Sequence, residues 1–141
     1  MKPRVPDPIT LSEVGRLALV GSLVVLLAAG CGGGSSKYTA DKTRECLSSE
    51  DARISGASGD FVASTATGGS FVAHLDDNWV TVSFGDQEND AKDLQIGYQR
   101  LAGSNVRENI TDVLSRYHNA VLLWHKHPES ADVALVTGCL E

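Results

Sequence analysis

The sequence of residues 39–141 predicts an α+β domain, and three patterns lead to that class. Two pairs of short segments with alternating apolar residues, each pair joined by a polar turn, indicate two β-hairpins. Apolar residues at helical spacing between the hairpins indicate a long helix, and shorter helices are expected at both ends of the domain. Together these patterns predict a two-layer fold, with about three helices on one face of an antiparallel sheet of about four strands.

The domain is expected to begin with a helix over residues 39–49, in which Thr39 is the candidate N-cap and Cys46 lies on the inner side. Residues 52–55 are a candidate short strand. The segment 60–66 fits either a capped helical turn or a strand. In either case, the element is expected to end before Gly68 and Gly69.

The first hairpin is predicted over residues 71–75 and 79–84, with a polar loop between the strands. Trp79 alternates out of phase with the apolar residues of its strand. It therefore lies either on a contact surface or beneath the segment 60–66.

The long helix follows, with Asp86 as its expected N-cap and Gly103 just after its end. Its apolar face consists of Ala91, Leu94, Tyr98 and Leu101. Its first turns carry four carboxylates, Asp86, Glu88, Asp90 and Asp93. Their spacing differs from that of an EF-hand loop, so a solvated helix start explains them better than a calcium site.

The second hairpin is predicted over residues 111–117 and 120–126, with His118 and Asn119 at its turn. The run AVLLW at residues 120–124 is apolar on both alternating faces, so this strand is expected inside the sheet. Pro128 suits the first turn of a last helix that reaches Leu140 and directs Val136, Cys139 and Leu140 inward.

Composition excludes some partners. The 141 residues carry 12 Lys and Arg against 18 Asp and Glu, for a formal net charge of −6. Nucleic-acid binding needs clustered cations, so no nucleic-acid partner is expected. Electrostatic docking on an anionic membrane is disfavoured for the same reason, so contact with a membrane must come from an apolar segment.

Such a segment stands near the start of the chain. A weakly basic stretch over residues 1–16 is followed by the uncharged aliphatic run LALVGSLVVLLAA at residues 17–29, the order found in secretory signal peptides. The residues that follow complete the sequence LAAGC, which ends at Cys31 and resembles the lipobox of bacterial lipoproteins. That resemblance implies cleavage before Cys31, a lipid such as a palmitoyl-bearing glyceride on its thiol, and anchoring at the outer face of the cell membrane.

The resemblance divides the chain into a signal peptide (residues 1–30), a lipidated cysteine with a Gly/Ser tether (31–38) and the α+β domain (39–141). The tether sequence GGGSS at residues 32–36 is typical of a flexible coil. An uncleaved membrane anchor is the alternative, because the uncharged span from residue 17 to residue 36 reaches the roughly 20 residues that cross a bilayer.

Lipidation would also explain the odd number of cysteines, three in all. Cys46 and Cys139 are then left as a pair in an oxidising compartment, where a disulfide persists. Their bridge would close a long loop and hold both ends of the domain. Two free thiols or a redox pair are the alternatives.

Two histidines are the best candidates for a metal site. His125 and His127 stand at positions i and i+2 of the last predicted strand, where they would point the same way. His118, His74 or a carboxylate would have to supply the third and fourth ligands, and no spacing in the sequence selects among them. A polar strand end is therefore the preferred interpretation, and no metal or cofactor is predicted.

Function is predicted mainly by exclusion. The sequence contains no G-x-S-x-G elbow, no S-x-x-K and no H-E-x-x-H. We therefore expect no enzyme but a lipid-anchored envelope protein that binds or scaffolds an envelope protein or a glycan. A metal-binding envelope protein that uses His125 and His127, and a small hydrolase with an unrecognised site, are the alternatives.

Overall fold

The structure of the protein, a computed structural model, describes residues 37–141. The predicted signal peptide, Cys31 and most of the predicted tether lie outside the described residues. The elements follow in the order α1 (Ala40–Ser49), β1 (Arg53–Ser55), α2 (Phe61–Ser64), β2 (Ser70–His74), β3 (Trp79–Phe84), α3 (Glu88–Leu101), α4 (Ser104–Arg107), α5 (Ile110–Val113), β4 (Leu114–Tyr117), β5 (Ala120–Trp124) and α6 (Ser130–Gly138).

The strands form one antiparallel sheet in the order β1-β2-β3-β5-β4, which confirms the predicted α+β class. In addition to the four strands of the two predicted hairpins, the sheet contains β1. This strand corresponds to the short segment predicted at residues 52–55, and it pairs with β2 at the edge of the sheet. The strand with the run AVLLW is β5, and it lies between β3 and β4 inside the sheet as predicted.

The helices lie on both faces of the sheet and not on one. Ala120, Leu122 and Trp124 of β5 belong to a core that includes residues of α1 and α6. Val121 points to the opposite face, where it packs with residues of α2 and α3. A strand that is apolar on both faces needs cover on both, and for this reason the helices divide between them.

The start of α3 also differs from the prediction. Its N-cap is Gln87, whose backbone N–H donates to the Asp90 carboxylate over 2.9 Å. Asp86 lies outside the helix, where it forms an ion pair with Lys37 over 3.1 Å. Ala91, Leu94 and Tyr98 are buried as predicted, whereas Leu101 in the last turn is 62% exposed.

The second hairpin is shorter than predicted. Two helical turns, α4 and α5, precede β4, which begins at Leu114. Strand β5 ends at Trp124, so His125 and His127 lie beyond it and the argument that both share one strand face does not apply. The chain leaves the sheet here because the backbone of Lys126 bonds to the side chain of Asn78. The Nδ2 of Asn78 donates to the Lys126 carbonyl over 3.1 Å.

The ends of the domain are joined covalently and by hydrogen bonds. Cys46 in α1 and Cys139 after α6 form the predicted disulfide, with their Cα atoms 5.4 Å apart. The backbone N–H of Thr39 donates to the carbonyl of Glu141. The helix before Cys139 begins at Ser130, two residues after Pro128, and Val136, Cys139 and Leu140 are buried as predicted.

Among residues 37–141, no helix combines the length and apolar character that crossing a membrane requires.

Candidate functional site

The candidate site lies at the end of the sheet where β3 begins and β5 ends. The chain enters the described domain at the other end, where Asn119 of the β4–β5 turn accepts a hydrogen bond from the backbone of Tyr38 over 2.9 Å. Five residue steps along β3, roughly 17 Å at 3.4 Å per residue, separate these two ends. They are called the Trp79 end and the Lys37 end.

Trp79 and His125 form an exposed stack at the Trp79 end. Their rings are nearly parallel, with an angle of 16° and a centroid separation of 3.4 Å. The arrangement follows from the sheet, because His125 continues the β3–β5 pairing and donates its backbone N–H to the carbonyl of Trp79 over 3.0 Å. Side chains directly opposite on neighbouring strands stand side by side.

The indole of Trp79 is 41% exposed, so the structure favours a surface position over the buried alternative. Helix α2 lies toward the other end of the sheet, where the Ser70 hydroxyl at the start of β2 donates to the carbonyl of Ala63 over 3.0 Å. An aromatic side chain held by stacking and open to solvent is suited to contact a partner.

A cleft of about 360 Å³ adjoins this stack and is called the His125 cleft. It is lined by Asn105, Val106, Asn109, Asp112, Val113, His125, Lys126 and His127. The hydrogen bonds and ion pairs formed within residues 37–141 include none from the polar side chains of this lining. Their donors and acceptors are therefore available to a ligand.

Asn78 holds the backbone of Lys126, a residue of the cleft lining, although its position in the sequence predicts only a loop residue. The side chain is 3% exposed, and its Oδ1 accepts from the backbone N–H of Trp79 over 3.0 Å and from that of Lys126 over 3.3 Å. These bonds join the start of β3 to the segment after β5. No local pattern reveals such a role, since the partner lies 48 residues away.

A second polar cleft of about 450 Å³ lies at the Lys37 end and is called the Lys37 cleft. It is lined by Lys37, Asp86, Gln87, Glu88, Asn89, His118 and Asn119. Here the polar and charged side chains contact each other: His118 Nδ1 lies within hydrogen-bonding distance of Glu88 Oε1, at 3.0 Å, and Lys37 Nζ forms an ion pair with Asp86 Oδ1 over 3.1 Å. Three of the four carboxylates at the start of α3 thus have partners within the protein, since Asp90 caps the helix.

The metal alternative has little geometric support. His125 and His127 both line the His125 cleft, as does the carboxylate of Asp112. However, the part of the chain that the structure describes contains no group of three or more His, Cys, Asp or Glu side chains arranged to hold a metal ion.

Ser55 and His74 form a hydrogen bond of 2.9 Å between Oγ and Nε2 at the edge of the sheet. These are two of the three groups of a serine-hydrolase triad. In residues 37–141, no carboxylate forms a hydrogen bond or ion pair with the other ring nitrogen of His74. The third group, which would orient the imidazole, is therefore missing from this pair.

The face covered by α2 and α3 contains a buried polar chain. The Tyr98 hydroxyl lies 3.2 Å from the hydroxyl of Ser83 and donates to the Asp60 carboxylate over 3.2 Å. Burial raises the pKa of Tyr98 well above its usual range. Asp60 also caps α2, with its Oδ1 accepting from the N–H of Ala63, so the ambiguous segment 60–66 is a helical turn.

Two more large apolar side chains are exposed on this face, Phe61 and Leu101, and they border both clefts of 250 and 340 Å³ beside α2 and α3. Trp79 belongs to the same side of the sheet, because it alternates with the buried Val80. Within the described residues, the large exposed apolar groups thus lie on one side of the domain.

No protein-family model, curated protein or solved structure matches this chain.

Proposed function

We propose that the protein is an envelope lipoprotein, anchored by a lipid on Cys31 at the outer face of the cell membrane, that binds an envelope protein or a glycan without catalysis. The lipobox resemblance of residues 27–31 supports the anchor. The cysteine pairing is consistent with it, because Cys46 and Cys139 bond to each other and leave Cys31 for the lipid.

The observation that carries the binding role is the exposed stack of Trp79 and His125, which lies at the end of the sheet away from Lys37. A chain anchored through the residues before Lys37 would be attached to the membrane at its Lys37 end. The stack and the His125 cleft would then lie at the end of the domain remote from the point of attachment, where they are accessible to envelope partners.

The anchor is tested by the intact mass of the native protein extracted from membranes without reduction. We expect a chain that begins at Cys31, carries added acyl mass and lacks two hydrogens for the disulfide. The mass of the full chain, or of a chain cut elsewhere without lipid, would contradict the anchor.

The binding role is tested by photo-crosslinking in intact cells. A benzoylphenylalanine residue placed at His127, beside the His125 cleft, should capture the same protein or glycan in repeated experiments. The matched control places it at Lys42, an exposed position on α1. Equal capture at both positions, or random neighbours only, would count against a binding site at the Trp79 end.

A small hydrolase is the second candidate function, and the observation behind it is the hydrogen bond between Ser55 and His74, a pair that lacks an orienting carboxylate among residues 37–141. A fluorophosphonate probe that labels the native protein but not its Ser55→Ala variant would support hydrolysis. Absence of labelling in both proteins would leave binding as the better proposal.

A further inference from the structure

We propose that the His125 cleft binds an uncharged saccharide. This inference rests on the proposed binding function and names the class of its ligand. It starts from the side chains that line the cleft without internal hydrogen bonds: Asn105, Asn109, Asp112, His125, Lys126 and His127.

The first step is the mixture of donors and acceptors. An amide group offers a carbonyl acceptor and an NH₂ donor, and a neutral imidazole offers one donor and one acceptor. The cleft contains two such amides and two imidazoles. A ligand that uses them must present donors and acceptors close together, as a row of hydroxyl groups does.

The second step is charge. With histidine counted as neutral, Lys126 and Asp112 cancel, so the lining has no formal net charge. An anionic ligand would be favoured by an excess of cations, as in phosphate or nucleic-acid sites. A metal cation would require a group of ligands that the described residues do not form here.

The third step is the apolar part of the cleft. Val106 and Val113 line it together with His125, whose ring is held by the stack on Trp79. A pyranose ring has hydroxyl groups at its rim and C–H groups on its faces, which matches a lining that is polar at several points and apolar between them. The volume of about 360 Å³ lies within the range of roughly 300–1,000 Å³ that is typical of small-ligand sites.

The test is binding of the purified full chain, in a polyoxyethylene detergent without sugar groups, to an array of oligosaccharides. The array carries neutral glucose, galactose, mannose, arabinose and N-acetylglucosamine oligomers beside uronic-acid and sulfated oligomers. We expect binding to one or more neutral oligomers and weaker binding to the acidic ones.

The variants Asn109→Ala and Asn105→Ala should each weaken the measured affinity about tenfold, the size expected for one well-formed hydrogen bond. Asn89→Ala is the matched control, because this exposed asparagine belongs to the Lys37 cleft, and it should leave the affinity unchanged. Thermal unfolding of each variant checks that all are folded.

Three results would overturn the inference: no binding to any neutral oligosaccharide, stronger binding to acidic oligomers, or equal losses in Asn109→Ala and Asn89→Ala. Specific capture of a protein at position 127 together with an empty array would reject the saccharide but retain the binding function. Failure of both experiments would reject both.

Discussion

The two polar clefts at opposite ends of the sheet differ in how their side chains are used. In the Lys37 cleft, Lys37 pairs with Asp86 and His118 with Glu88, and Asn119 bonds to the backbone of two chain segments. In the His125 cleft, the polar side chains form no such bonds within the described part of the chain. Most polar residues of the Lys37 cleft therefore have partners within the domain, whereas those of the His125 cleft are available for recognition.

This difference also decides what mutations should do. A side chain that satisfies buried groups contributes to the free energy of unfolding, and its removal leaves those groups unpaired. A solvent-exposed side chain without partners contributes little to stability, so its loss is felt only when a ligand binds.

The largest loss of unfolding free energy is expected from removal of the disulfide. It lines neither cleft, so its loss is the reference against which the losses of the cleft variants are compared. The double variant Cys46→Ala, Cys139→Ala should lose about 4–5 kcal/mol of unfolding free energy, because the bridge joins residues 93 positions apart. Urea unfolding measures the loss. A loss below about 1 kcal/mol would show that the hydrogen bonds and core alone hold the chain ends.

The next effect compares two asparagines directly. Asn119→Ala should lower the unfolding free energy by about 2–3 kcal/mol. The substitution leaves the backbone N–H and carbonyl of Tyr38 and the carbonyl of Gly85 without their hydrogen-bond partner. Asn109→Ala should change it by about 0.5 kcal/mol or less. Equal losses in urea unfolding would contradict the division of roles between the clefts.

A third prediction concerns Tyr98, a buried polar group outside both clefts. Its pKa is raised in the folded state, so the folded protein must keep a proton that the unfolded chain releases above about pH 10. The stabilisation is therefore present below pH 10 and is lost as the pH rises further, by up to about 1.4 kcal/mol per pH unit.

The unfolding free energy, measured between pH 9 and 11, tests whether stability falls with rising pH as predicted. The Tyr98→Phe variant is the control, because its remaining pH dependence comes from the other titrating groups. The wild-type protein should lose stability more steeply than the variant. Parallel curves would show that the Tyr98 phenol ionises equally in the folded and unfolded states.

The smallest effect is expected from the exposed ion pair of the Lys37 cleft. Asp86→Asn should cost at most about 1 kcal/mol, because the side chains of Asp86 and Lys37 are about half exposed, and the cost should shrink with added salt. His127→Gln in the other cleft should leave stability unchanged. A salt-sensitive loss in His127→Gln would reveal a partner that the structure does not show.

Local patterns predicted much of the fold because helix and strand periodicities are properties of neighbouring residues. The alternation in residues 79–84 and the helical spacing of Ala91, Leu94 and Tyr98 appear in the structure as predicted. The predicted strand over residues 120–126 is two residues longer than β5, because the end of β5 depends on Asn78, a residue of another hairpin. The sequence predicts helices on one face only, whereas the run AVLLW, apolar on both sides, requires helices on both faces of the sheet.

The candidate site was predicted only in fragments. The sequence points to Trp79, His125 and His127 individually, and the metal alternative groups the two histidines that line the cleft, but nothing in the sequence indicates Asn105 or the cleft itself. A side chain becomes available to a ligand when its neighbours in space leave it unpaired. That property depends on residues brought together from α4, α5 and the end of β5.

The sequence by itself determined the order of the first, long and last helices relative to the two hairpins, the interior position of the strand with AVLLW and the candidate partners of the disulfide, because each depends on local periodicity or on a count. Only the tertiary structure decided which polar groups pair. Lys37 and Asp86 are 49 residues apart, and Asn78 and Lys126 are 48 apart. Such distant pairs form only when the sheet brings them within hydrogen-bonding distance, so the difference between the two clefts emerges with the fold.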